Sequence, residues 1–247
     1  MLTEAQRDRI EIVLVSPRNP LNIGAVARAM ANFGFSHLTV VAPYAPHWRE
    51  ARSAIGAPDL LQNAKETQSL EDALAACTFV AGTGSLTHRK PDQPVFSLPD
   101  FAPILSQQIA NGRVALIFGP EKHGLTRDDL SWCHALIQIP TDDRQPSMNL
   151  GQAVAVCLYE ASCHTAADDA PVLAKMNAGT PAASAQLDLL AGVIEQTMTA
   201  AGYSPRAMQP ANQHDLRVLL RRLSPSALDT RRMLGLFRRI LWRLHKF

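Results

Sequence analysis

Three segments of this sequence combine glycine with polar or charged residues at spacings suited to holding a ligand. The first is Asn22-Ile-Gly24-Ala-Val-Ala-Arg28. At helical spacing Ile23, Val26, Ala27, Met30 and Gly34 share one apolar stripe, and Arg28 falls off it. Gly24 lies one turn before Arg28 and leaves space beside the guanidinium. An arginine near strand ends suits a phosphate or a ribose, because its planar fork fixes several N–H donors. A surface salt bridge fits the same spacing equally well. The second segment is Phe118-Gly119-Pro120-Glu121-Lys122-His123-Gly124-Leu125-Thr126. Glycine at both ends lets backbone approach a ligand, and a tight strand-to-helix turn is the competing reading. The third is Pro146-Ser147-Met148-Asn149. Ser147 or Asn149 is a good helix N-cap, and the same helix start offers free backbone amides to a ligand.

Other chemistries lack their residues. There is no G-x-x-x-x-G-K-[ST] phosphate cradle and no G-x-G-x-x-G after the first strand, so neither common nucleotide fingerprint is present. No serine or cysteine has a histidine at a recognisable catalytic spacing. Cys77, Cys133, Cys157 and Cys163 are scattered without C-x-x-C, and no histidine pair has metal-ligand spacing. No metal is expected, and the cysteines read as buried free thiols of a reducing cytoplasm. No leader-like apolar run follows the mixed-charge start, and no window is apolar enough to span a membrane.

The elements that must position these segments alternate in type. Buried strands are expected at 10–15, 37–41, 78–82, 114–118 and 135–139. Helices are expected at 22–33, capped by Asn22, and at 53–77, 100–110, 127–133 and 149–164. Nearly continuous apolar strands alternating with helices predict an α/β fold, a mostly parallel sheet with helices on both faces. Ligands in such sheets bind beyond the carboxyl ends of the strands. The loops at 83–85, 119–124 and 140–147 all follow strands and can converge there, although strand order is not legible.

A domain over 1–164 is followed by an Ala/Pro/Asp/Thr-rich linker at 165–184 and a helical extension over 185–247. The extension is basic. Through Pro205 the chain carries 14 Lys and Arg against 20 Asp and Glu, and from Arg206 onward 10 against 2. An acidic body with a basic tail points to an anionic partner. In the last helix Met233, Leu236, Phe237, Ile240, Leu241 and Leu244 form an apolar stripe beside the arginines. Arg217, Arg221, Arg222, Arg231, Arg232, Arg238, Arg239 and Arg243 are the candidate contacts to that anionic partner, against a merely solvated helical face.

As a set, Asn22-x-Gly24-x-x-x-Arg28, then Phe118-Gly119-x-Glu121-x-x-Gly124-Leu125-Thr126, then Ser147-x-Asn149 resemble the three motifs of the SpoU (TrmH) branch of the SPOUT RNA 2′-O-methyltransferases. The basic extension after a linker looks like the TrmJ-type tRNA subgroup. The resemblance implies a trefoil-knotted sheet, a homodimer with each active site at the subunit interface, and S-adenosylmethionine (SAM) as cofactor. By position it implies SAM contacts from Thr83, Gly84, Ser85, Gly119, Ile139, Ser147 and Met148. It makes Arg28 the central catalytic residue, with Asn22, Glu121, Ser147 and Asn149 around it. The implied substrate is the ribose of the pyrimidine at position 32 of the tRNA anticodon loop. Another RNA position, or a non-catalytic RNA-binding protein on the same scaffold, are the competing readings. An arginine stays protonated, so Arg28 suits gripping the ribose or phosphate and stabilising the developing alkoxide better than acting as a base. Pro120 stands where many relatives carry a polar residue.

Overall fold

A computed structural model describes residues 2–84, 91–163, 179–203 and 208–246. Seven strands pair in parallel: β1 (Ile10–Val15), β2 (His37–Val41), β3 (Lys65–Thr67), β4 (Phe79–Thr83), β5 (Val95–Ser97), β6 (Val114–Phe118) and β7 (Ala135–Gln138). Their order is β3-β2-β1-β6-β4-β7-β5. The five expected strands are present, and β3 and β5 are additional. Both are three-residue edge strands with no fully buried residue, so neither has the apolar run that makes a central strand legible.

The two faces divide with the period of the strands. Ile10, Ile12, Leu14, Leu116 and Phe118 enter the larger core, with helices α2 (Pro20–Phe33), α3 (Pro58–Asn63), α5 (Leu98–Asn111) and α7 (Leu150–Cys163). Val13, Val15, Ala115 and Ile117 enter the smaller one, with α4 (Leu70–Leu74) and α6 (Arg127–Leu130). A short α1 (Glu4–Arg7) precedes the sheet. The single helix expected over 53–77 is instead α3, β3 and α4; Ala64, extended after α3, turns the chain into β3.

The C-terminal helices are α8 (Ser184–Ala200), α9 (Gln209–Leu223) and α10 (Ala227–Leu244). Most of the expected linker lies outside the described residues; its end is held where Ala227 N–H donates to Thr180 O at 2.8 Å. The bundle is docked on the body. Ser184 N–H donates to Cys77 O at 2.9 Å. Arg221 donates to Trp132 O and to Asp188, both at 2.9 Å. Among the described residues no helix is long and apolar enough to cross a membrane.

Candidate cofactor cleft and the polar chain beside it

Because β6, β4 and β7 are neighbours, the loops leaving their carboxyl ends share one side of the sheet. Together with the start of α7 they enclose a cleft of about 260 Å³. Thr83, Gly84, Gly119, Ile139, Ser147 and Met148 all line it, so six of the seven expected cofactor positions come together. Ser85, the seventh, lies outside the described residues. Leu125 and Leu130 add apolar wall that the sequence reading did not assign to the site, and Pro120 lines it too. Thr83 is buried and donates its hydroxyl to Ile117 O at 3.2 Å, which ties the end of β4 to β6.

Gly119 is needed for a reason other than ligand approach. A Cβ there would sit 2.2 Å from Gly124 C and from Leu125 N, both backbone atoms. The loop folds back onto its own start: Gly124 takes φ +63° and donates N–H to Pro120 O at 2.9 Å. Thr126 then caps α6, with Asp129 returning the bond. The glycine therefore shapes the cleft wall from behind. Gly24 is likewise filled rather than open. A Cβ on it would meet Ser53 Oγ at 2.2 Å, so its role is close packing of the 51–54 chain against α2, not room for Arg28.

The helix cap also differs from expectation. Asn19 caps α2 by accepting from Leu21 N–H at 2.9 Å, with Pro20 in the first turn. Asn22 is thus inside the helix, and its side chain is free to bridge two other motifs. Its Nδ2 donates to Glu121 Oε1 at 2.9 Å, and its Oδ1 accepts from Asn149 Nδ2 at 2.9 Å. Asn149 in turn caps α7 through Gly151 N–H at 2.9 Å. Glu121 also accepts from the backbone N–H of Arg18 and of Asn19, each at 3.0 Å. Burial opposes charge on Glu121, but the bonds from Asn22 and from the Arg18 and Asn19 amides outweigh it and hold the carboxyl below its ordinary value. An ionised, fully engaged carboxylate is a poor proton acceptor. Glu121 is a clamp joining the loops after β1 and β6 to α7.

Arg28 is not part of this chain. It is exposed on α2, does not line the cleft, and makes no hydrogen bond or ion pair among the described residues. Two of the five expected catalytic residues, Ser147 and Glu121, line the cleft; Asn22 and Asn149 reach it through Glu121; Arg28 stands apart. The buried His134 is no substitute base. Burial, then the nearby charge of Arg221, pushes its pKa down to about 3, and its Nδ1 accepts from Val80 N–H. Cys77, Cys133 and Cys157 are buried free thiols as expected, with burial raising Cys77 and Cys157 to about 12, whereas Cys163 is exposed.

The arginines of the tail separate into two groups. Arg222, Arg231, Arg232, Arg238, Arg239 and Arg243 are exposed. Arg221 is 1% exposed, so its expected role as an RNA contact is corrected: it is a buried strut between α8, α9 and Trp132. Arg217 pairs with Asp128 at 3.1 Å and lies 4.3 Å from the centre of the Trp132 ring, which also makes it part of the docking joint. Burial separated them from the others, and no spacing in a basic amphipathic helix signals it.

Residues 9–159 match the SpoU rRNA Methylase family. The chain is 32% identical to the tRNA (cytidine/uridine-2′-O-)-methyltransferase TrmJ of Pectobacterium atrosepticum, over 97% of this chain and 98% of that one. It is 42% identical to the tRNA (cytidine/uridine/adenosine-2′-O-)-methyltransferase TrmJ of Pseudomonas aeruginosa, over 62% of this chain and 60% of that one. The crystal structure of TrmJ from Z. mobilis ZM4 superposes with a TM-score of 0.81 at 31% identity, covering 93% of this chain and 98% of that one. With its three motifs assembled at one edge of a parallel sheet and this likeness running the length of the chain, the protein belongs to the SpoU methylase family.

Proposed function

We propose that the protein transfers a methyl group from SAM to the ribose 2′-hydroxyl of a tRNA pyrimidine, in the cytoplasm and as a homodimer, at position 32 of the anticodon loop. The observation that carries this reading is the joining of all three motif segments through Glu121, Asn22 and Asn149, beside a cleft lined by apolar side chains, glycine-rich loops and polar groups that include Gln138, Thr141 and Asp143. Such a lining suits a nucleoside held by backbone groups, with Ile139, Leu125 and Met148 against its flat faces. When bound, SAM supplies an activated methyl electrophile; the chain supplies position and charge. Ser147 and Met148 hold the cofactor at the start of α7, while Glu121 fixes the two loops flanking it.

Arg28 grips the ribose or the neighbouring phosphate and stabilises the alkoxide that forms as the hydroxyl passes its proton to the RNA's own adjacent phosphate. Its distance from the cleft within one chain supports an arrangement in which α2 of one subunit serves the cleft of the other. Leu21 and Tyr159, 55% and 53% exposed on α2 and α7, give that side the apolar character a subunit contact would cover. The exposed arginines of α9 and α10 contribute phosphate contacts outside the site. Mass mapping of ribose-methylated nucleosides in tRNA from a deletion strain tests the reading. Loss of one 2′-O-methylpyrimidine, restored by the wild-type gene, is expected. An unchanged tRNA profile contradicts it, and loss from rRNA instead moves the substrate.

A further inference from the structure

Beside the cleft stands a feature that the motifs do not explain. The chains leaving β1 and β2, neighbours in the sheet, both pass through a non-glycine residue in the left-handed region: Ser16 at φ 45° and Ala42 at φ 43°. Side chains disfavour this conformation, and it persists where surrounding structure imposes it. Here the two turns bring Tyr44 to Arg18. Tyr44 N–H donates to Pro17 O at 3.1 Å, and the Arg18 guanidinium carbon lies 5.2 Å from the centre of the Tyr44 ring. Tyr44 is 75% exposed, so burial does not account for the pairing. The Arg18 guanidinium meets no carboxylate among the described residues, although the body as a whole is acidic. The pair is also anchored to the site, because Arg18 N–H is one of the donors to Glu121.

We propose that Tyr44 and Arg18 form a platform for an unpaired nucleotide of the RNA substrate, with its base stacked on the Tyr44 ring and an adjoining phosphate on the Arg18 guanidinium. An exposed aromatic ring paired with a guanidinium is the chemistry by which proteins hold unstacked bases and their backbone, and it tolerates any base because every base has a π face. Glu121 couples this platform to the cleft. A nucleotide seated on it is fixed relative to the loop that walls the cofactor site, so the neighbouring ribose is presented in one register. An ordinary surface cation–π pair would need neither the two left-handed turns nor the bond to Glu121.

The inference rests on RNA being the substrate, and a binding assay keeps the two separable. Full-length protein is titrated with an unmodified tRNA transcript by fluorescence anisotropy, and SAM affinity is measured in parallel. Tyr44→Ala is expected to weaken tRNA binding by about tenfold, with SAM affinity unchanged. Tyr44→Phe keeps the ring and should bind as the wild type does. Arg18→Gln should lower the slope of log Kd against log salt by about 0.7, one single-strand phosphate contact. Wild-type tRNA affinity in Tyr44→Ala, or equal damage in Tyr44→Phe, overturns the platform. A wild-type protein that binds tRNA without methylating it overturns the functional reading and leaves this comparison intact. A wild-type protein that does not bind tRNA overturns both.

Discussion

At the carboxyl edge of the sheet, Glu121, Asn22 and Asn149 engage one another and the backbone beside a cleft lined by both apolar and polar groups. On α9 and α10 the charged groups are mostly left to solvent, and only Arg217 and Arg221 are drawn into the joint with Trp132. The first region holds a shape. The second holds a charge, and its arginines Arg217 and Arg221 help to fasten it to the body. The difference teaches that residue type alone does not assign a role here. The glutamate of a catalytic motif is a clamp, and one arginine of a basic helix is a core residue.

Breaking the joint should have the largest effect. Asp188→Ala leaves Arg221 charged, buried and without its carboxylate, which should cost about 3–5 kcal/mol of stability and appear as a lower thermal midpoint. Replacing both Asp188 and Arg221 with apolar residues of similar volume should recover most of the loss. A single variant as stable as the wild type would show that Arg221 reaches water. Next comes the cleft wall. In Gly119→Val the new side chain collides with the backbone of Gly124 and Leu125. SAM affinity by calorimetry should fall about 100-fold, or about 2.7 kcal/mol. Normal affinity in a folded variant would refute the close return of the loop.

Glu121→Gln sharpens the clamp. Hydrogen bonds to a partly exposed carboxylate are discounted for solvent, so a loss of about 1 kcal/mol at neutral pH is expected. The sign follows from the lowered value of Glu121. Its contribution is complete above the ordinary glutamate value of 4.5 and fades as pH falls through the lower folded-state value. The stability gap between wild type and variant should therefore close under acid, and a gap that stays constant with pH would remove ionisation from the explanation. Smallest is Arg238→Ala, which should leave stability unchanged. It should reduce the salt slope of tRNA binding by about 0.7–0.9; an unchanged slope would make that helix face merely solvated.

What was legible in the sequence follows physical lines. The central strands declared themselves because burial on both faces demands near-continuous apolar runs, unbroken in β6 and interrupted in β1 by Glu11 alone. The edge strands β3 and β5 escaped because edges carry no such demand. Six of the expected cofactor positions reached one cleft because each lies at or just after a strand end or just before α7. The cap of α2 was misplaced by three residues, since Asn19 and Asn22 are equally good caps by type and only the Pro20 turn decides between them. The platform at Tyr44 was not legible at all: its two halves lie on different loops, joined by turns that Ser16 and Ala42 do not advertise.

The central claim is that Arg28, exposed on α2 and outside the cleft of its own chain, acts on the RNA ribose. Single-turnover methyl transfer to tRNA with saturating SAM measures this directly in Arg28→Ala. The rate should fall by about 100-fold or more, the scale of a positioned catalytic group. Stability and SAM affinity should be preserved, because no core volume is lost and no cleft residue changes. Arg28→Lys should remain impaired if the planar fork positions the ribose. Methyl transfer at the wild-type rate in Arg28→Ala would contradict the assignment.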